Sequence, residues 1–175
     1  MARFARGLLF SIAQGYKTIT IIGLSVGGVI SLKLAQEEKI ERLIVMSVPK
    51  DRTPERLKQR LIDYAKAYKQ LEGKTSEEIK KELLPFQEMS LHSFEEFQRL
   101  IHDTMDKLPH ITTPVAIYYG KKDDVLYEKS ANYIYEQVSS SVKKIKSFPN
   151  STHLMTLGKD KDSLFEEVLS FIKST

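Results

Sequence analysis

Between Ile19 and Leu32 the chain runs Ile-Thr-Ile-Ile-Gly-Leu-Ser-Val-Gly-Gly-Val-Ile-Ser-Leu, and this stretch leaves few architectures open. An apolar run rich in β-branched residues reads as a buried strand over 18–24. It stops at Gly23, Ser25 follows, and Gly27-Gly28 open a helical run over 26–37. The reading is strand, sharp turn, serine, helix. A tight turn of this kind lifts the serine above the carboxyl end of a sheet, in a strained backbone. Gly23 and Gly27 lack a Cβ and are expected to let strand and helix close around the turn. The N-terminus of the helix then lies under Ser25, where negative charge would be stabilised.

The next apolar run, Glu41-Arg-Leu-Ile-Val-Met-Ser-Val48, is a second buried strand, followed by Pro49. Strand, helix, strand implies parallel pairing with a right-handed crossover. From 51 to about 110 strand signals vanish and charge density rises. Thr53-Pro54 is a cap with proline in the first turn, and Leu57, Leu61, Tyr64, Ala65, Tyr68 and Leu71 recur at helical spacing until Gly73. Thr75-Ser-Glu-Glu78 resembles a capping box opening a helix that runs through Leu84 and is interrupted by Pro85. Ser93-Phe-Glu-Glu96 resembles another, with Phe97, Leu100, Ile101 and Met105 on the helix it opens. After Pro114 the alternation resumes. It gives a strand over 115–119 ending at Gly120, a helix over 128–139 and a strand over 142–148 of the edge type. Last comes a helix over 160–173 with Leu164, Phe165, Val168, Leu169 and Ile172 as its buried face. The expected organisation is an α/β core from 1–50 and 111–175, with a helical cap, 51–110, inserted between strands over the carboxyl edge of the sheet. A faint signal-peptide likeness in residues 1–14 is better read as a packing helix over 3–14, because its apolar part is short and Phe4, Leu8 and Ile12 share one face.

Composition narrows the function classes. With 175 residues the chain is long enough for one domain with a real core. The net charge of +4 comes from interspersed signs, which argues against a nucleic-acid footprint. There is no cysteine, so no disulfide, no thiol nucleophile and no cysteine metal site; a reducing cytoplasm fits. No apolar run approaches the length of a membrane span. Phosphate-loop and dinucleotide fingerprints are missing, which leaves a nucleotide-binding domain little support.

Gly23-x-Ser25-x-Gly27 between a strand and a helix is the pattern of the nucleophile elbow of α/β-hydrolases. A serine hydroxyl needs a base, and the base needs an orienting acid. In the hydrolase fold these follow in the order serine, acid, histidine. The first strand after the helical segment ends in Gly120-Lys-Lys-Asp-Asp-Val125, which offers Asp123 and, second, Asp124. The next strand is followed by Pro149-Asn-Ser-Thr-His153, which places His153 in a loop before the last helix. Each residue also has a plainer reading, the aspartates as turn or cap residues and His153 as a surface histidine. His92, His102 and His110 form no spaced cluster and read as structural or exposed, so no metal and no other cofactor is expected.

The chain resembles the bacterial carboxylesterase and monoacylglycerol lipase group of α/β-hydrolases from about residue 16 onward. The resemblance rests on Gly23-Leu-Ser-Val-Gly-Gly28, Tyr64-Ala-Lys-Ala-Tyr-Lys-Gln-Leu-Glu-Gly73, Asp123-Asp-Val-Leu126, Ser130-Ala-Asn-Tyr-Ile-Tyr135 and Ser151-Thr-His-Leu-Met-Thr-Leu157. It implies Ser25 as nucleophile, Asp123 as orienting acid, His153 as general base, a small helical cap at 51–110, and short- or medium-chain esters or monoacylglycerols as small-molecule substrates. Val26 would supply one backbone N–H to the oxyanion. The resemblance also implies that the first strand here corresponds to the group's fifth, so that about four strands and the loop bearing the second oxyanion donor are not in this sequence. The expected sheet is therefore the C-terminal half of a mostly parallel one. Its elbow strand becomes an apolar edge, through which the chain is expected to self-associate as a homodimer or strand-swapped pair. Two readings stay open: a serine carboxylic ester hydrolase of the cytoplasm, and a catalytically weak remnant that associates through its edge.

Overall fold

In the computed structural model the described residues are Ala5–Gly7, Leu9 and Gly15–Ser174. They form two compact units. One takes in the chain up to Lys50 and from Asp103 onward, the other Asp51–His102. Of the helix expected over 3–14, Ala5–Gly7 and Leu9 are helical, and the remainder lies outside the described residues.

The first unit is built on four parallel strands, β1 (Thr20–Leu24), β2 (Arg42–Met46), β3 (Val115–Gly120) and β4 (Lys143–Phe148), side by side in chain order. Gly23 pairs with Val45, Val45 with Ile117, and Gly120 with Phe148, so the carboxyl ends of the strands lie along one edge. Helix α1 (Val26–Glu37) packs on β1 and β2 and buries Val29 and Leu32 completely. The central strands are fully covered because both faces are used: Leu43, Val45, Val115 and Ile117 alternate with Ile44, Met46, Ala116 and Tyr118, and all are buried. The even-numbered set forms a core with Phe148, Met155 and residues Leu164, Val168 and Phe171 of the last helix. Helix α5 (Val125–Gln137) connects β3 to β4, and the last helix is α6 (Lys161–Lys173). Its buried stripe is narrower than expected. Phe165 and Leu169 are 46% and 52% exposed, and the stripe turns instead onto Phe171. Ridges three, four and seven residues apart already fill one helix face, so the neighbours of Leu164 and Val168 fall outside it.

The second unit holds α2 (Pro54–Leu71), α3 (Ser76–Glu88) and the start of α4 (His92–Met105). Thr53 Oγ1 accepts from the Arg56 N–H, with Pro54 in the first turn. Gly73, with φ 76°, ends α2 in the left-handed region. The Thr75–Glu78 capping box is complete in both directions. Two local readings are corrected. Pro85 does not interrupt α3, which continues to Glu88; in its last turn a proline forfeits a single ladder bond. Helix α4 begins at His92, whose N–H donates to Ser90 Oγ at 3.2 Å, and not from a box at Ser93. Residues 103–110 cluster with the sheet unit, where Thr104, Met105 and Leu108 are buried.

Candidate active site

Every connection that bears a candidate residue leaves the carboxyl edge of the sheet. Ser25 sits between β1 and α1 with φ 55° and ψ −116°, a backbone that costs a non-glycine residue roughly 1–3 kcal/mol. Two contacts hold it there: its N–H donates to Met46 O at 2.9 Å and its carbonyl accepts from the Val29 N–H at 3.2 Å. Although it stands at the N-cap of α1, its hydroxyl makes no capping hydrogen bond. Val26 is the first residue of α1, a position whose N–H has no acceptor within the helix.

The glycines around the turn divide differently from the sequence reading. A Cβ on Gly23 would lie 2.3 Å from Ser31 Oγ and 2.4 Å from Gly27 O. One on Gly28 would lie 2.5 Å from Val48 Cγ2, whereas one on Gly27 would meet nothing within 4 Å. Closure of strand and helix thus depends on Gly23 and Gly28, and Gly27 is not required for it. Successive positions on a helix point 100° apart, and it is Gly28 that faces the chain leaving β2.

Asp123 and His153 leave β3 and β4 and meet. His153 Nδ1 lies 2.8 Å from Asp123 Oδ2, with both side chains about 95% buried. A carboxylate only accepts, so Nδ1 carries the proton of this bond, which in the neutral ring leaves Nε2 as the acceptor nitrogen. Asp123 Oδ1 accepts from the Asp124 N–H at 2.8 Å. The Asp124 carboxylate is engaged elsewhere, since its Oδ1 accepts from the Leu126 N–H at 2.9 Å and caps α5. The buried ring of Tyr127 lies against the imidazole, with centroids 4.8 Å apart and planes tilted by 45°.

The loop that carries His153 is fastened at several points that the sequence did not announce. Gly120 lets it lie directly on the end of β3: a Cβ there would be 2.3 Å from Ser151 O and 2.8 Å from Thr152 O. Ser151 O accepts from the Lys122 N–H at 3.0 Å, which joins the histidine loop to the aspartate loop. Two residues past His153, Met155 Sδ accepts a hydrogen bond from Ser47 Oγ at 3.3 Å; Ser47 is buried, with φ 45°. Asp160 receives the Asn150 N–H at 2.7 Å, the Asn150 amide at 3.1 Å and the Ser151 hydroxyl at 3.2 Å. Desolvation opposes the charge on Asp160, but these donors outweigh it and hold the carboxyl below its usual range. Before a helix, Asp160 reads simply as a cap, and nothing local in the sequence singles it out.

The remaining histidines, His92, His102 and His110, are exposed. Two of them face carboxylates, His102 on Asp51 at 3.2 Å and His92 on Glu95 at 3.5 Å. Among the described residues no group of three potential ligands is placed to hold a metal ion. No helix among them is long and apolar enough to cross a membrane.

Comparison with known proteins agrees with this architecture. The chain is 32% identical to a carboxylesterase of Bacillus subtilis (strain 168) over 162 residues, covering 92% of this chain and 66% of the esterase. It is 31% identical over 88 residues to a thermostable monoacylglycerol lipase of Bacillus sp. (strain H-257), covering 50% of this chain and 35% of the lipase. The chain thus spans just under two thirds of the first relative and about a third of the second. The crystal structure of a monoacylglycerol lipase from Paleococcus ferrophilus superposes with a TM-score of 0.69 over 98% of this chain and 73% of that one; at 12% identity the likeness is one of fold. The family model described as serine aminopeptidase, S33 matches residues 9–160. With an α/β-hydrolase sheet and a match over most of its length, the chain belongs to the Hydrolase_4 family of S33 hydrolases.

Proposed function

We propose that the chain is a serine carboxylic ester hydrolase acting through Ser25, His153 and Asp123. The observation that carries this is the buried His153–Asp123 pair on the edge where Ser25 holds a strained backbone and keeps its hydroxyl off its own helix. The relatives, a carboxylesterase and a monoacylglycerol lipase, support carboxylic esters, monoacylglycerols among them, as the substrate class.

In this reading His153 Nε2 takes the Ser25 proton as Oγ attacks the ester carbonyl. Asp123 holds the ring and stabilises the imidazolium. The tetrahedral oxyanion lies against the Val26 N–H at the positive end of α1. Collapse expels the alcohol, which takes the proton from His153, and leaves an acyl group on Ser25. His153 then removes a proton from water, the hydroxide attacks the acyl carbon, and the carboxylic acid departs as Ser25 regains its proton.

The test is hydrolysis of a chromogenic short-acyl ester by the purified chain and by Ser25→Ala. Loss of activity in the variant is expected; equal rates in both would overturn the proposal. Running an amino-acid anilide beside the ester separates ester from amide chemistry, since the family description names an aminopeptidase.

A second reading, self-association of a weak hydrolase, is favoured by one observation. Among the described residues β1 pairs with β2 alone, and Ile22 on it is 47% exposed. Size-exclusion chromatography over a range of concentrations is expected to show a dimer; a monomer throughout would exclude it.

A further inference from the structure

We propose that Asp160 is a positioning residue for His153, acting through the turn Asn150–Ser151. The inference rests on the assignment of His153 as the base and adds the group that fixes its loop.

An aspartate at the N-cap of a helix ordinarily turns its carboxylate back onto the first N–H groups of that helix. Asp160 stands at the N-cap of α6 and makes no such bond. Its carbonyl makes the ordinary first bond of the helix, accepting from the Leu164 N–H at 2.9 Å, and accepts from Ser163 Oγ at 2.9 Å as well. Both carboxylate oxygens are therefore directed away from α6. The donors they receive come from two adjacent residues, Asn150 and Ser151, of the turn leading into His153. Hydrogen bonds to an ionised acceptor are about twice as strong as neutral ones, so the anchoring of this turn is concentrated in one side chain.

Ser151 transmits the restraint. It is fully buried, its hydroxyl is on Asp160, and its carbonyl accepts from Lys122, next to Asp123. The same carbonyl lies over Gly120, where no side chain could fit. One residue is thus held by the last helix on one side and by the aspartate loop on the other. His153, two residues on, inherits that position relative to Asp123. Without Asp160 the turn keeps its contact with Lys122 but loses every side-chain acceptor it has on the α6 side.

The experiment compares the full chain with Asp160→Asn, Asp160→Ala and Ser151→Ala. The low-field NMR signal of the His153 Nδ1–H reads the pair with Asp123 whether or not an ester is turned over. We expect it sharp in the parent, broadened in Asp160→Asn, and lost in Asp160→Ala. In ester hydrolysis the expected order is the same, with kcat down by about 10²-fold in Asp160→Ala, a smaller loss in Asp160→Asn, and KM within about twofold throughout. Ser151→Ala, which removes the hydroxyl bond and leaves those from Asn150, should fall between parent and Asp160→Ala. It keeps the test open should the alanine variant at 160 fail to fold. An unchanged Nδ1–H signal and kcat in folded Asp160→Ala, or a loss that resides in KM alone, would overturn the inference. If the parent hydrolyses no ester while the signal still follows the Asp160 series, the catalytic assignment fails and the positioning role stands.

Discussion

Replacing Gly120 with alanine tests whether the histidine loop is held by close packing on the end of β3. The added Cβ would lie 2.3 Å from Ser151 O, 2.7 Å from its carbonyl carbon and 2.8 Å from Thr152 O, all of them backbone atoms. Ordinary contact between such atoms begins near ~3.4 Å, so the loop must rise by about 1 Å. Two bonds stretch with it, Lys122 N–H to Ser151 O at 3.0 Å and His153 Nδ1–H to Asp123 Oδ2 at 2.8 Å. An extra ångström takes both beyond the range in which a hydrogen bond keeps its strength. Overpacking of this kind costs about 1–3 kcal/mol, which for a chain of this size lowers Tm by roughly 2–12 °C. A misplacement of ~1 Å at a catalytic base costs about 10²-fold in kcat. Urea denaturation and steady-state ester hydrolysis measure the two effects. Gly158→Ala, whose Cβ would meet nothing closer than 3.6 Å, is the matched control and should cost less than ~0.5 kcal/mol. Unchanged stability in Gly120→Ala would refute the packing argument. Reduced stability with unchanged kcat would refute the link from loop position to catalysis.

Ser25→Gly should abolish ester hydrolysis while raising stability by about 1 kcal/mol, because glycine relieves the left-handed backbone at φ 55°; thermal denaturation shows the sign. In the elbow, Gly28→Ala should cost about 1–3 kcal/mol against Val48, whereas Gly27→Ala, with open space around it, should stabilise α1 by roughly 0.5–1 kcal/mol; equal effects in urea denaturation would contradict the geometry. Hydrogen bonds from Lys144, then Lys146, hold the Glu167 carboxyl below its usual range. A lowered folded value means stability that is present above the unfolded value, near ~4.3, and lost as pH falls through the folded one. Glu167→Gln should therefore be less stable than the parent at pH 7, with the difference closing below about pH 4; a gap independent of pH would refute the role of this charge.

The elements that could be read from the sequence are those specified by neighbours in the chain. The β-branched run before Gly23 and the alternation of strands and helices after Pro114 correspond to β1, β3, β4, α5 and α6 within a few residues. The order of Ser25, Asp123 and His153 could be read because each follows a strand. What escaped was set by contacts across the sheet or between loops. Whether Gly27 or Gly28 meets Val48 depends on where the chain leaving β2 runs. The choice between Asp123 and Asp124 is a matter of direction: one carboxylate points to the imidazole and its neighbour caps α5. Asp160 bears every local mark of a helix cap, and only the return of the turn at Asn150 gives it another partner. Phe165 and Leu169 are apolar at helical spacing and still face outward, since periodicity fixes a stripe's direction more firmly than its width.

Among the described residues the two outer strands of the sheet, β1 and β4, are not equivalent. On β4, Lys143 is turned onto the carbonyls of Tyr135 and Val138, and Lys144 and Lys146 flank Glu167, so a strand docking there would meet a row of cations. On β1 the exposed side chain is Ile22, 47% exposed, and the strand carries no charged residue. Head-to-tail addition would need a β1 edge to meet a β4 edge, and lysine discourages such pairing. Two β1 edges can still meet across a twofold axis, and that contact uses up both. If two copies pair through β1, growth by sheet extension closes at two, and the asymmetry of charge between the edges separates a finite pair from an open filament.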